Sequence, residues 1–256
     1  MKSLLPQYTI FLLQEKFLQC AELVTTSSFS IRSTFRISLT VLAIFFYASG
    51  LAQSEPGNDK ELEYKKVITE RSLKILNTTG IDDAVKKERV LNEMVSQYIW
   101  LNHIHDSDKI VVNELKERSS TPEELAKVQK IQQEKKASRL LALHENFIIR
   151  LKEDLTDNQL EKVKDGMTYG VLPVTYSAYQ DMIPSLTDGQ KAKIFNWLKE
   201  ARELAMDEGS SEKKHAVFGK YKGRINNYLS AEGYDLKKQN EEWARRIKER
   251  KDGGQK

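Results

Sequence analysis

The chain has 256 residues, 30% charged and 39% hydrophobic, which is typical of a helical protein with a hydrophobic core. Its 41 basic and 37 acidic residues leave a formal net charge of +4. We expect no nucleic-acid partner, because so balanced a surface offers no basic footprint. Its one cysteine, Cys20, excludes a disulfide framework and a thiolate metal site. No zinc-helix, phosphate-loop or catalytic-triad signature is present, so we predict no metal and no cofactor.

The first 52 residues are typical of a leader with a secretory signal, in which basic residues precede an apolar run and small residues follow it. These parts are, in order, Arg32 and Arg36, the apolar run 37–47, and Gly50 and Ala52. We predict cleavage near Ala52–Gln53 and a periplasmic or secreted protein. The run is too short for a comfortable bilayer anchor, so we expect no stable membrane anchor after cleavage.

The rest of the chain predicts an all-α fold of seven or eight helices, because apolar residues recur at three- and four-residue steps without any period-two stretch. We predict one domain over 53–256; a division into helical parts 60–153 and 155–250 is the alternative. The first helix should end before Gly80. Asp82 should cap a second helix that reaches Ile104 and breaks near 105–108.

Three further helix starts follow from capping chemistry. Thr121 precedes a proline, and Glu124 stands where it completes a capping box. The long helix that starts there is charged over its first half, which favours an extended antiparallel helical pair. Thr156 with Gln159, and Thr187 with Gln190, predict two more capping boxes. Between them Gly170 and Pro173 should interrupt the helix, and the last helix should cover 236–250.

The histidines suggest little chemistry. His103 and His105 lie about 200° apart around a helix and cannot face one metal there, so a solvated helix end is the preferred interpretation. His144 lies on an apolar stripe and is expected to be a hydrogen-bonded core residue. His215 is a candidate general base, but no partner for it is visible in the sequence.

Candidate ligand-binding residues gather at two places in the sequence. Tyrosines surround the Gly170 break, where they either stack on sugar faces or pack in the core; the two interpretations are held equal. Gly219 and Gly223 mark one helix face, for which close helix–helix contact is preferred over a site. The alternative combines nearby cations and aromatic rings to bind an acidic sugar. The whole candidate set is Tyr169, Tyr176, Tyr179, His215, Lys220, Tyr221, Lys222, Arg224 and Tyr228.

Two resemblances bear on function. The phrase Leu-Thr-x-x-Gln, at 155–159 and 186–190, is similar to that of the LTxxQ family of small periplasmic helical chaperones and stress sensors. The phrases at 164–170, 220–229 and 233–235 resemble an uncharacterised family of exported bacterial proteins known as a domain of unknown function, DUF3826. The second resemblance implies an extracytoplasmic setting and a link to glycan metabolism, and it transfers no catalytic residue.

Three functions are compatible with these patterns. We prefer an exported, non-enzymatic helical protein that binds a glycan or protein partner in polysaccharide utilisation. The first alternative is a chaperone or stress adaptor like the LTxxQ proteins. The second is an enzyme on acidic sugars, with the basic residues and tyrosines of the candidate set lining one pocket. The oligomeric state stays open.

Overall fold

A computed structural model describes residues 56–253, with side chains for 59–252. Within this range the chain forms eight helices and no strand, which confirms the predicted all-α fold. The helices are α1 (Pro56–Leu76), α2 (Ala84–Arg118), α3 (Pro122–Asp154), α4 (Asp157–Met167), α5 (Val171–Met182), α6 (Asp188–Met206), α7 (Ser211–Ala231) and α8 (Leu236–Gly253). The predicted signal and its cleavage site at Ala52–Gln53 lie outside the described residues. None of the eight helices combines the length and apolar character that crossing a bilayer requires.

The predicted long helical pair is formed by α2 and α3, which run antiparallel. Polar contacts join the two helices along their length: Arg89 to Asp154, Arg150 to Glu93, and Lys136 to Asp108. The predicted break at 105–108 is wrong, because α2 continues through it. There His105 is buried with its Nε2 beside the Asp207 carbonyl, and Asp108 is paired with Lys136, so both side chains find tertiary partners without leaving the helix.

Most predicted helix starts are confirmed in atomic detail. Capping boxes close at both Thr156–Gln159 and Thr187–Gln190, with the threonine and glutamine side chains each taking a free backbone N–H. Two details differ. Asp83, not Asp82, caps α2. Glu124 accepts from the backbone N–H of Ser120, one residue before the cap, rather than from the cap itself.

Two clusters of buried apolar residues hold the helices together. The first packs helices α1, α2, α3 and α4 together and includes Met94, Leu151 and Val163. The second packs helices α5, α6, α7 and α8 together around residues such as Leu198 and Ile225. Each cluster supplies the burial that no single helix here could supply alone.

The connection between the two clusters explains two unusual local features. Tyr169 and Gly170 both adopt left-handed backbone, at φ 61° and 66°, and turn the chain sharply from α4 to α5. Gly166 lies so close to α1 that an added Cβ would be 2.6 Å from Ile75. A side chain at 166 would therefore push α1 and α4 apart.

A buried ionic network crosses the same region. Arg202 on α6 is 1% exposed and donates to Asp165 and Glu161 on α4, both at 2.7 Å. On α3, His144 contacts Asp207 at 3.0 Å and Glu203 at 3.3 Å. Helices of the first cluster are thus tied to α6 through charged groups, where a missing partner is costly.

Candidate functional site

A groove of about 510 Å³ lies between α5, α7 and α8. Its walls combine aromatic, aliphatic, amide and lysine side chains. They are Val174, Thr175, Ala178, Tyr179, Met182, Lys222, Asn226, Leu236, Lys237, Asn240 and Trp243. A volume of this size and a wall of this mixed character are typical of small-ligand sites.

Tyr179 forms the wall contributed by α5. The residue is 7% exposed, and its hydroxyl donates to Asn226 Oδ1 at 2.6 Å and lies 3.4 Å from the Lys222 carbonyl. Burial raises the pKa of Tyr179 to about 12, so the phenol remains protonated and remains a donor. Tyr179, a candidate site residue from the sequence, is therefore a core residue whose hydroxyl holds the Asn226 amide in place.

Asp181 fastens α8 to the end of α5. Its carboxylate accepts from Trp243 Nε1 at 2.7 Å and from Arg250 at 2.9 Å, and Arg246 donates to the Asp181 and Met182 carbonyls. The hydrogen bonds from Trp243 and Arg250 lower the pKa of Asp181. This clamp holds the indole at the end of the groove. Sequence reasoning missed it, because Asp181 and its partners lie more than 60 residues apart.

The groove is positively charged. Two of its lining residues, Lys222 and Lys237, are cations, and none of the described residues that line it is a carboxylate. Asn226 and Asn240 add amide donors and acceptors. Aromatic faces, amides and cations together match a ligand that has C–H faces, hydroxyl groups and a negative charge.

The two glycines of α7 do not make the helix contact that was the preferred interpretation. A Cβ added at Gly219 or Gly223 would meet nothing within 4 Å, and both residues are exposed. At helical spacing Gly219 and Gly223 share a face with Lys222 and Asn226 of the groove. The bare backbone of this face therefore lies open beside the groove.

A second, smaller pocket of about 80 Å³ lies between α1, α2 and the start of α7. Lys214 is its most buried cation, 4% exposed, with Nζ near the carbonyls of Met167 and Met206 at 3.3 and 3.2 Å. Burial lowers the pKa of Lys214 to about 8. Tyr169 lines the same pocket, and its ring stacks on His215 with centroids 5.5 Å apart. We call this feature the Lys214 pocket.

The remaining candidates lie where α5 and α7 pack against α6 or are exposed to solvent. Tyr176 packs on Phe195, Arg224 lies 4.5 Å above the Trp197 ring, and Tyr228 meets that ring edge-on. Tyr221 is half-buried beside Arg224, and Lys220 is exposed. The nine candidates are thus spread over the groove, the Lys214 pocket, the faces that α5 and α7 pack against α6, and solvent. They do not line one pocket, as the enzyme hypothesis required.

The histidines also differ from expectation. His105, expected at a solvated helix end, is 5% exposed, and its Nε2 lies 2.7 Å from the Asp207 carbonyl. His103 packs beside Trp100. His144 is hydrogen-bonded, as predicted, and the hydrogen bonds that it donates to Asp207 and Glu203 raise its pKa to about 9. Across residues 59–252 no group of three or more His, Asp and Glu side chains gathers as metal ligands.

A family model matches most of the chain. The model of DUF3826, described as a protein of unknown function, matches residues 65–249 and confirms the resemblance seen in the sequence. No curated protein shows significant similarity to the chain. Kinship with the LTxxQ proteins stays a prediction, since both copies of that phrase serve as capping boxes.

Proposed function

The chain belongs to the DUF3826 family of proteins of unknown function, and on that premise we propose that it is an exported, non-enzymatic protein that binds an acidic carbohydrate. One observation carries the proposal: a groove of about 510 Å³ combines Trp243, two amides and two lysines without a lining carboxylate. The carbohydrate is proposed to bind along this groove, between α5, α7 and α8.

Each part of the groove suits one part of an acidic sugar. The Trp243 ring offers an apolar face for the sugar C–H groups, and its indole N–H is already occupied by Asp181. Asn240 offers an amide donor and acceptor to hydroxyl groups, and Asn226, whose Oδ1 accepts from Tyr179, offers its N–H donors. Lys222 and Lys237 supply the countercharge for a carboxylate.

The open setting of the lysines predicts modest affinity per sugar unit. Lys222, Lys237 and Asn240 are all exposed. An exposed ion pair contributes roughly 0.2–1 kcal/mol, because water and salt screen it. A chain of several acidic residues should therefore bind more tightly than one sugar, since it engages both lysines and the open glycine face together.

The cellular part of the proposal rests on the sequence. The apolar run 37–47, with basic residues before it and small residues after it, supports export. A role in polysaccharide utilisation is proposed from the resemblance together with the charge of the groove. Mass-spectrometric determination of the N-terminus of the exported protein tests the first part, and an intact Met1 contradicts it.

Calorimetric titration with an oligouronate and with its carboxyl-reduced, neutral counterpart tests the binding. We expect the acidic form to bind and the neutral form to bind at least fivefold more weakly. The double variant Lys222→Ala/Lys237→Ala should lose about the same factor, because two exposed ion pairs disappear. Lys220→Ala/Lys238→Ala is the matched control, since it removes equal charge from neighbouring positions outside the groove. Equal affinity for the two ligands, or equal loss in both double variants, contradicts the proposal.

A further inference from the structure

We propose that the Lys214 pocket is a second binding site that takes a small oxyanion, a carboxylate or phosphate group, between Lys214 and Arg71. The site is separate from the groove and independent of the function proposed above. Its walls come from α1, α2, the turn after α4 and the start of α7.

Lys214 is a buried cation without an ionic partner. Its Nζ contacts two backbone carbonyls and lies 5.8 Å from the Tyr98 ring centroid. No carboxylate of residues 59–252 lies within 4 Å of it, and the nearby Asp207 is engaged by His144. Buried charges in proteins are normally paired, because carbonyl dipoles only partly replace the lost hydration. A bound anion would provide the missing countercharge.

Arg71 supplies a second cation at the mouth of the pocket. Its guanidinium carbon lies 6.0 Å from the ring centroids of both Tyr98 and Tyr169. Among the described residues no carboxylate pairs with Arg71 within 4 Å. A hydrogen bond to Tyr98 engages part of the guanidinium, and its other N–H groups can bind an oxyanion in the way typical of arginine. Stacking between the two rings orients the guanidinium without neutralising it.

The surrounding groups favour an anion despite two acidic neighbours, Glu208 and Asp207, of which Asp207 is paired with His144. Glu208 lines the pocket, but two cations and the N-terminal end of α7, marked by its cap Ser210, outweigh it. Tyr98 is 6% exposed, and burial raises the pKa of Tyr98 to about 12, so its hydroxyl stays protonated at neutral pH. The volume of about 80 Å³ exceeds the roughly 10–15 Å³ that a single water requires. The pocket therefore has room for a small oxyanion group.

Tyr169 shows that the mouth of the pocket is held in an unfavourable backbone conformation. Its φ of 61° is rare for a bulky residue, and its ring is kept over the pocket by stacking on His215. Such conformations concentrate at ligand-binding sites, where the surrounding structure enforces them. Here the enforced turn places an aromatic ring beside Arg71 at the entrance.

The test is thermal unfolding of the whole protein at pH 7, with inorganic phosphate, acetate or chloride at equal ionic strength. We expect phosphate or acetate to raise the Tm above its value in chloride, because a ligand that binds only the native state stabilises it. The anion that raises the Tm identifies the source: phosphate alone indicates a phosphate group, acetate alone a carboxylate, and both the oxyanion class.

Paired variants locate the effect. Lys214→Met and Arg71→Gln should each abolish the anion-specific rise and weaken the calorimetric affinity for the same anion at least tenfold. Lys213→Met and Lys74→Gln, which replace exposed lysines on the same two helices, should keep both the rise in Tm and the affinity for the anion. If Lys214→Met does not fold, Arg71→Gln decides, since Arg71 is exposed. The proposal is overturned if neither anion exceeds chloride, or if Arg71→Gln retains the full response.

Discussion

Among single residues, His144 shows most clearly how charge stabilises this fold. Hydrogen bonds that His144 donates to Asp207 and Glu203 raise the pKa of His144 from its usual value of 6.5 to about 9. Although burial alone would raise the pKa of Glu203, hydrogen bonds from His144 and Lys164 lower it to about 2. The imidazolium is thus the native partner of two carboxylates across α3 and α6.

We therefore predict that His144→Gln destabilises the protein below pH 6.5 and has progressively less effect as the pH rises through 9. A raised native pKa contributes stability that is complete below the unfolded pKa of 6.5 and is lost above the native one. The loss at pH 6 should be at most about 3 kcal/mol, from the shift between 6.5 and about 9. Urea unfolding at pH 6 and pH 10 measures it, with the exposed His103→Gln as control. A loss that does not change with pH would contradict the assignment.

At the scale of helices, features that depend on neighbouring residues could be predicted from the sequence, whereas features that depend on tertiary contacts could not. The caps at Thr121, Thr156 and Thr187 were predictable because every group involved lies within four residues. The wrong prediction of a break at 105–108 could not be avoided from local sequence. Nothing local shows that Asp108 reaches Lys136, or that His105 is covered by the loop at Gly209, whose added Cβ would lie 2.9 Å from the His105 ring.

Helix α7 offers a prediction with opposite effects on stability and binding. Gly223 lies in its middle, at an exposed position with nothing within 4 Å of an added Cβ. Gly223→Ala should stabilise the protein by about 0.5–1 kcal/mol, because alanine has the higher helix propensity. The same methyl group projects beside Lys222 and Asn226, so the oligouronate should bind at least threefold more weakly.

Denaturant unfolding and calorimetric titration give the two readings for Gly223→Ala. Gly189→Ala serves as the control, because Gly189 is also exposed and open but lies in the first turn of α6, away from the groove. It should leave ligand affinity unchanged. If Gly223→Ala binds as tightly as the native chain, the open face of α7 is not part of the site.

At the scale of the whole molecule, the sequence could not predict which candidate residues the fold brings together. Tyr179 and Lys222 do meet in one groove, but Tyr169 and His215 lie at the Lys214 pocket. A lysine such as Lys214, in a charged helix, gives no sign that it is buried. Its surroundings come from Met167 and Met206, which only the packed fold brings near.

Among the described residues Arg202 is the largest fully buried side chain, and it lies where the two apolar clusters join. It contacts Glu161, Asp165 and Glu203, of which the side chains are 43%, 27% and 32% exposed. Removing the arginine leaves three carboxylates close together without their cation. Because these carboxylates keep partial contact with water, the cost should fall near the lower end of the range for broken buried pairs, about 3 kcal/mol.

We predict that Arg202→Met lowers the free energy of unfolding by this amount and separates the unfolding of the two clusters. Hydrogen exchange should then show α5–α8 and α1–α4 opening at different denaturant concentrations, whereas the native chain opens them together. Arg245→Met, which removes only an exposed i,i+4 pair with Glu249, should cost less than about 0.5 kcal/mol. Equal losses in the two variants, or a single shared transition in Arg202→Met, would mean that apolar contacts such as those of Met206 already couple the clusters. The ionic network would then fix the geometry of the junction without holding it together.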